Sequence, residues 1–305
     1  MPAPTVRSYN SYWRVLETHW GDRFLDEPTT TEINQLVEAH RSRAIVRSNS
    51  RAGRGAAASM VSAVRCLYRQ AEFDGLISPA QNPARNLRTQ RPQPGSRHAL
   101  TRDQVMAMGR IAATTGNDTE LDALIVRLHI ETACRRGAAL ALQVDDMNPE
   151  DCLLRLREKG GQVRWQPVSP LLMGSLIEHV DSRGGADATD RLLRYRHGRP
   201  ISARRYDYLI ERVRRHLPWA RRLQVSIHWV RHTTLTYVER EYGEAVARAY
   251  AGHAVPTGRV ATPIYTTAGV VEVAEALSGL TGERHPLARR VREPLAPRGR
   301  LGGIV

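Results

Sequence analysis

One stretch of this 305-residue chain changes period, and the change constrains the fold class. From Cys152 to Val168 the helical spacing gives way to alternation. Leu154 and Leu156 precede the turn EKGGQ, and Val163 and Trp165 follow it. Period two around a Gly-rich turn is the signature of a β-hairpin. Every other patterned stretch repeats at helical spacing, so a mainly α fold with one small β-sheet is expected.

On the N-terminal side, Tyr9, Trp13, Leu16 and Trp20 form one stripe between Ser8 and Trp20. Thr29 and Glu32 fit a capping box that opens a helix carrying Ile33, Leu36 and Val37. A longer helix from Gly55 to Phe73 puts Ala57, Met60, Val61, Val64, Leu67, Tyr68 and Ala71 on one face. These segments predict a small all-helical domain over residues 1–86, with arginines on its polar faces. Residues 87–98 carry Pro, Gly and basic residues without apolar period and read as a linker.

A second domain is expected over residues 99–285. Thr101 with Gln104 caps one helix, and Leu121, Leu124, Ile125 and Leu128 mark another ending at Thr132. Further helices are expected at Leu171–Val180, Ser202–Leu217 and Val270–Leu280. Residues 286–305 are basic and lack apolar period, the composition of a disordered tail.

The formal charge is +14, which makes nucleic acid or an anionic membrane surface the natural partner. No apolar run of about 18 residues exists and the N-terminus has no apolar h-region, so a cytoplasmic protein without a membrane partner is expected. Three cysteines without CxxC spacing give neither a disulfide framework nor a zinc cage. Of the 45 basic residues other than histidine, Lys159 is the one lysine. Arginine is a fixed cation, whereas an ammonium can surrender a proton, so this exception draws attention to proton transfer.

The chemistry-bearing residues concentrate between Ile227 and Tyr265. His228, Arg231 and His232 share the run HWVRHT; His253 follows a glycine, and Tyr265 sits in PIYTT. Arg135 lies where a turn enters a helix, a place suited to an anion. Each has a plainer reading: Lys159 as a turn lysine, Tyr265 as a surface tyrosine, and His228, His232 and His253 as metal ligands, although no acidic ligand accompanies them.

Four of these motifs, in order, resemble those of the tyrosine recombinases, also called phage integrases, including the Xer-type resolvases. TACRRGAALAL resembles TGLRRGELLAL, giving Arg135; REKGGQVRWQPV resembles KGxxxRxxPL, giving Lys159. HWVRHT resembles HxLRHT, giving His228 and Arg231. AGH followed by PIYTT resembles LGH and IYTH, giving His253 and Tyr265. The chain departs from the pattern at Ala133 and Ala138, which stand for Gly and Glu, at Ala251, which stands for Leu, and in a longer His253-to-Tyr265 segment.

The resemblance covers roughly residues 5–283. It implies a helical SAM-like core-binding domain plus a mixed α+β catalytic domain, closing as a C-shaped clamp on DNA. It also implies a site-specific DNA recombinase acting through a 3′-phosphotyrosyl link, with no cofactor and no metal. Arg135 and Arg231 would clamp the phosphate, His228 would take the Tyr265 proton, Lys159 would protonate the leaving 5′-oxygen, and His253 would add a hydrogen bond. The partner implied is double-stranded DNA with paired inverted half-sites, bound by a homotetramer in the synapse and assisted by an accessory directionality factor. A nucleoid location follows. No arm-binding domain is expected before the helical unit. Two rivals share the fold: a type IB topoisomerase, and a sequence-specific DNA-binding regulator with dead chemistry. The helix after Tyr265 resembles the one that recombinases exchange between protomers, which disfavours the topoisomerase.

Overall fold

The computed structural model describes residues 3–43, 54–87, 98–158, 161–185, 187–253 and 268–288. Its contacts divide the chain into two compact units, Met1–Ser96 and Arg97–Val305. Most of the expected linker and tail lie outside the described residues, as do Lys159 and Tyr265.

The first unit packs three helices, α1 (Ala3–Trp20), α2 (Thr30–Arg43) and α3 (Arg54–Phe73), around one core. Helix α2 starts where its capping box dictates: the Thr29 amide donates to Glu32 Oε2 at 2.7 Å, and the Glu32 amide donates to Thr29 Oγ1 at 3.2 Å. Ile33, Met60 and Val64 are wholly buried. Helix α1 begins at Ala3, ahead of the expected Ser8, and its stripe is only half sunk. Leu16 is buried, while the Trp13 indole spans the edge and donates to the Ala63 carbonyl at 3.0 Å.

The second unit is a helical body carrying one three-stranded antiparallel sheet. Its elements run α4 (Arg102–Thr114), α5 (Thr119–Thr132), α6 (Arg136–Ala141), β1 (Met147–Asn148), β2 (Leu153–Arg157), β3 (Val163–Pro167) and α7 (Pro170–Arg183). They continue with α8 (Ala203–His216), α9 (Pro218–Arg222), α10 (Ile227–Ala251) and α11 (Val270–Thr281). The Thr101–Gln104 capping box opens α4 as expected. The fold is thus mainly helical with a small sheet, as the hairpin signal predicted.

One face of the hairpin differs from its apolar pattern. Leu154 and Leu156 on β2 are buried, but on β3 it is Gln166 and Arg164 that point inward, Arg164 pairing across the ladder with Leu156. Val163 and Trp165 stay 57% and 45% exposed. The reason is chemical: Arg164 is held by the site described below, and it donates to Gln166 Oε1 beside it. Trp165 instead lies under the Arg155 guanidinium, 5.9 Å from ring centroid to carbon, a cation–π contact.

Helix α10 is broken at Gly243, whose φ of 84° leaves the helical region. The break lets the last turn of α10 come back beside its beginning. Helix α11 packs on α10 of its own chain, with Val273, Ala276 and Leu277 buried against Val238, Ala247 and Tyr250.

Candidate active site

The site is assembled at the C-terminal end of α5. The last carbonyls of a helix have no partner inside it and carry partial negative charge, so they attract donors. Here four consecutive carbonyls are satisfied by side chains from far along the chain. Ile130 accepts from Thr234 Oγ1 at 2.8 Å, Glu131 from the Tyr250 hydroxyl, Thr132 from Arg164 Nη2 at 3.1 Å, and Ala133 from Arg231 Nη1. Ala133 closes α5 in the left-handed region at φ 47°, a conformation that costs an L-residue roughly 1–2 kcal/mol. That turn leads through Cys134 to Arg135, the N-cap of α6.

Three guanidinium groups meet there around one carboxylate. Glu158, at the end of the first hairpin strand, has a side chain only 1% exposed. Its Oε2 lies 2.7 Å from Arg135 Nη1, and its Oε1 lies 3.4 Å from Arg164 Nη2 and 3.8 Å from Arg231 Nη1. Arg231, on the first turns of α10, also donates through Nη2 to the Ala251 carbonyl at 2.8 Å. Two helix C-termini therefore share one buried arginine. Burial lowers the Arg231 pKa to about 10, the charge of Arg135 adds to the drop, and Glu158 opposes it. It remains a cation at neutral pH. Burial also lowers Arg164, with Glu158 acting in the opposite sense.

His253 follows Gly252, the left-handed C-cap of α10, and its amide donates to the Arg248 carbonyl at 3.1 Å. Its imidazole is exposed, and its pKa is lowered by partial desolvation and then by the charges of Arg231, Arg135 and Arg248. A neutral ring beside cations can donate one hydrogen bond to an anion while keeping a basic nitrogen. His228 lies exposed in the first turn of α10, three residues before Arg231, and so shares its side of the helix. His232 Nδ1 instead stands 3.0 Å from Thr236 Oγ1.

The structure thus brings Arg135, Arg231 and His253 together and sets His228 on the helix that carries Arg231. Lys159 follows Glu158 directly in sequence. Among the described tyrosines of this region, Tyr250 is sealed in the core on the Glu131 carbonyl, and burial pushes its pKa upward. Tyr237 and Tyr242 pack against each other with ring centroids 6.4 Å apart. Among the described residues no three His, Cys, Asp or Glu side chains gather to hold a metal ion. No helix there is long and apolar enough to cross a membrane.

Sequence reasoning missed Glu158 and Arg164. Arg164 stands at the arginine of the KGxxxR pattern, a signal that was available. Glu158 carries no periodic or motif signal.

Comparison with known proteins bears on the fold and the family. The model of the phage integrase family matches residues 98–267. Tyrosine recombinase XerC of Chromobacterium violaceum is 29% identical over 185 residues, covering 58% of this chain and 58% of that protein. Tyrosine recombinase XerD of Mycobacterium tuberculosis is 28% identical over 307 residues, covering 94% of this chain and 93% of its own. Among solved structures, a lambda integrase dimer bound to a COC′ core site superposes with a TM-score of 0.63 at 17% identity, covering 85% of this chain and 92% of that one. The XerH site-specific recombinase bound to its palindromic difH substrate gives a TM-score of 0.64 at 12% identity, covering 90% of this chain and 76% of that one. At such identities the superpositions speak for the fold, and the family match speaks for descent. With its arginines gathered at the end of α5 and its sequence matched over residues 98–267, more than half of its length, this chain belongs to the phage integrase family, the tyrosine recombinases, which break and rejoin DNA strands.

Proposed function

We propose that this chain is a site-specific recombinase that cuts and rejoins duplex DNA through a 3′-phosphotyrosyl intermediate, with each sequence-derived residue in a defined role. Arg135 and Arg231 hold the nonbridging oxygens of the scissile phosphate and stabilise the charge that develops as it is attacked. The Tyr265 phenol oxygen attacks phosphorus and the P–O5′ bond breaks. The phenol proton passes to His228, and Lys159 gives a proton to the departing 5′-oxygen. His253 adds a hydrogen bond to a phosphate oxygen. Attack by a 5′-hydroxyl on the phosphotyrosine reverses these steps, so the bond energy is conserved without a nucleotide cofactor.

The convergence of Arg135 and Arg231, from separate elements, on one buried carboxylate carries this reading. The partner is double-stranded DNA with paired inverted half-sites, held by four protomers in the synapse and assisted by an accessory directionality factor. Support for the assembly comes from the lambda integrase tetramer bound to a Holliday junction, a fold neighbour at TM-score 0.63. The residues 1–86 helical unit acts as the core-binding domain and residues 99–285 as the catalytic one, at work on the nucleoid.

Nicked duplexes drawn from DNA flanking the gene provide the test. A protein–DNA adduct that survives denaturation is expected with the wild type and lost in Tyr265→Phe. Adduct formation by Tyr265→Phe at the wild-type level would overturn the assignment.

A further inference from the structure

Glu158 has no step in the reaction above, yet the arginines meet on its carboxylate. Its two oxygens divide the work. Oε2 serves Arg135 at 2.7 Å, and Oε1 faces Arg164 at 3.4 Å and Arg231 at 3.8 Å. The three guanidinium groups differ in what else holds them. Arg231 is fixed by the carbonyls of Ala133 and Ala251, and Arg164 by the carbonyl of Thr132. Arg135 has a side chain 39% exposed, and Glu158 is its side-chain partner among the described residues.

A long side chain on the N-cap of a six-residue helix has many rotamers open to it, and ordering it at the moment of reaction costs entropy. Tethering it beforehand removes that cost from the chemical step. Within α6 itself, position 138 offers no acceptor: it is a buried alanine where the family box has glutamate. The hairpin supplies a carboxylate instead, two residues ahead of the turn glycines and directly before Lys159.

We infer that Glu158 is a positioning residue for Arg135, fixing its guanidinium beside that of Arg231 so that both reach one phosphate. The inference rests on the recombinase reading for its purpose. Its geometric content can be tested separately. Three guanidinium groups against one carboxylate leave the cluster positive, so neutralising Glu158 adds attraction for a phosphate while releasing Arg135. Affinity and turnover should therefore part company. A purely structural role would not separate them.

The Glu158→Gln variant replaces one carboxylate oxygen with an amide donor, which repels one of the arginines the oxygens now hold. The first measurement needs no DNA. In protein labelled with ¹⁵N-arginine, the Nη signals of Arg135, identified by their loss in Arg135→Lys, are expected to be resolved by hindered rotation in the wild type. In Glu158→Gln they should average, while those of Arg231 stay in place. The second measurement uses the adduct-forming duplex: affinity should be unchanged or tighter, and single-turnover cleavage slower by about 10²-fold. Glu158→Asp keeps both oxygens at shorter reach and should fall between the two; it carries the same comparisons if Glu158→Gln does not fold. Unaltered Arg135 signals, wild-type cleavage in Glu158→Gln, or parallel loss of affinity and cleavage would each overturn the inference. Failure of the wild type to form an adduct on any duplex would instead refute the recombinase reading, leaving the Arg135 signals to decide the role of Glu158.

Discussion

A Cβ at position 252 would lie 2.6 Å from both Cδ and Nε of Arg164. Gly252 also has φ +61°, so backbone conformation and space both require glycine there. Arg164 cannot yield cheaply, because the Thr132 carbonyl and Glu158 hold it. Gly252→Ala is expected to lose about 2 kcal/mol or more, combining left-handed strain with displacement of Arg164. Gly282 is a fair control: φ is +75° with nothing within 4 Å of a built Cβ, and Gly282→Ala should lose only about 1 kcal/mol. Urea denaturation of the two variants checks the difference, and equal losses would show that Arg164 is free to move.

Mild acid should weaken the second unit through two buried histidines. His129 is fully enclosed, with Nδ1 3.1 Å from the Cys134 carbonyl and Nε2 3.0 Å from the Tyr206 hydroxyl. Burial lowers its pKa from 6.5 to about 4, against the Cys134 hydrogen bond. Burial and then Arg183 bring His179 down to about 4 as well. Between pH 6.5 and 4 the unfolded chain binds more protons than the folded one, so stability is complete above 6.5 and lost as pH falls. Each group contributes on the order of 1–3 kcal/mol. The urea midpoint should fall steadily across that window, and His129→Gln should flatten part of the slope. A midpoint constant from pH 6.5 to 4 would contradict the assignment of neutral, buried imidazoles.

Replacing the one lysine separates charge from acidity. Lys159→Arg keeps a cation near the leaving oxygen but removes a usable proton, since guanidinium does not titrate near neutrality. DNA affinity should be retained and cleavage should fall about 10²-fold or more. Full cleavage by this variant would remove Lys159 from the proton-transfer role.

Binding should be dominated by phosphate contacts. A chain of net charge +14 releases counterions when it neutralises a duplex, and affinity falls accordingly with salt. Fluorescence anisotropy is expected to show a loss of about 10³-fold or more between ~50 and ~200 mM salt. A nearly flat dependence would mean that the arginine faces do not meet the backbone of DNA.

What was legible in the sequence was local. The Thr29–Glu32 and Thr101–Gln104 boxes place the starts of α2 and α4 because capping is decided within one turn. The hairpin is announced by its turn, but alternation misplaces the inner face of β3. Val163 and Trp165 carry the apolar alternation, yet Arg164 and Gln166 take the interior, where Arg164 meets the Thr132 carbonyl and Glu158. The break at Gly243 and the left-handed Ala133 depend on how α10 and α5 return to one another, which no window of sequence contains. For the same reason Glu158 escaped notice: its partners are 135, 164 and 231, joined by folding and by no spacing.

The most direct test is to find where the DNA becomes attached. Protein trapped on a nicked duplex can be digested and the nucleotide-bearing peptide sequenced by mass spectrometry. A peptide containing Tyr265 joined to a 3′-phosphate is expected. Attachment through Tyr237, Tyr242 or any other residue, or to a 5′-phosphate, would contradict it.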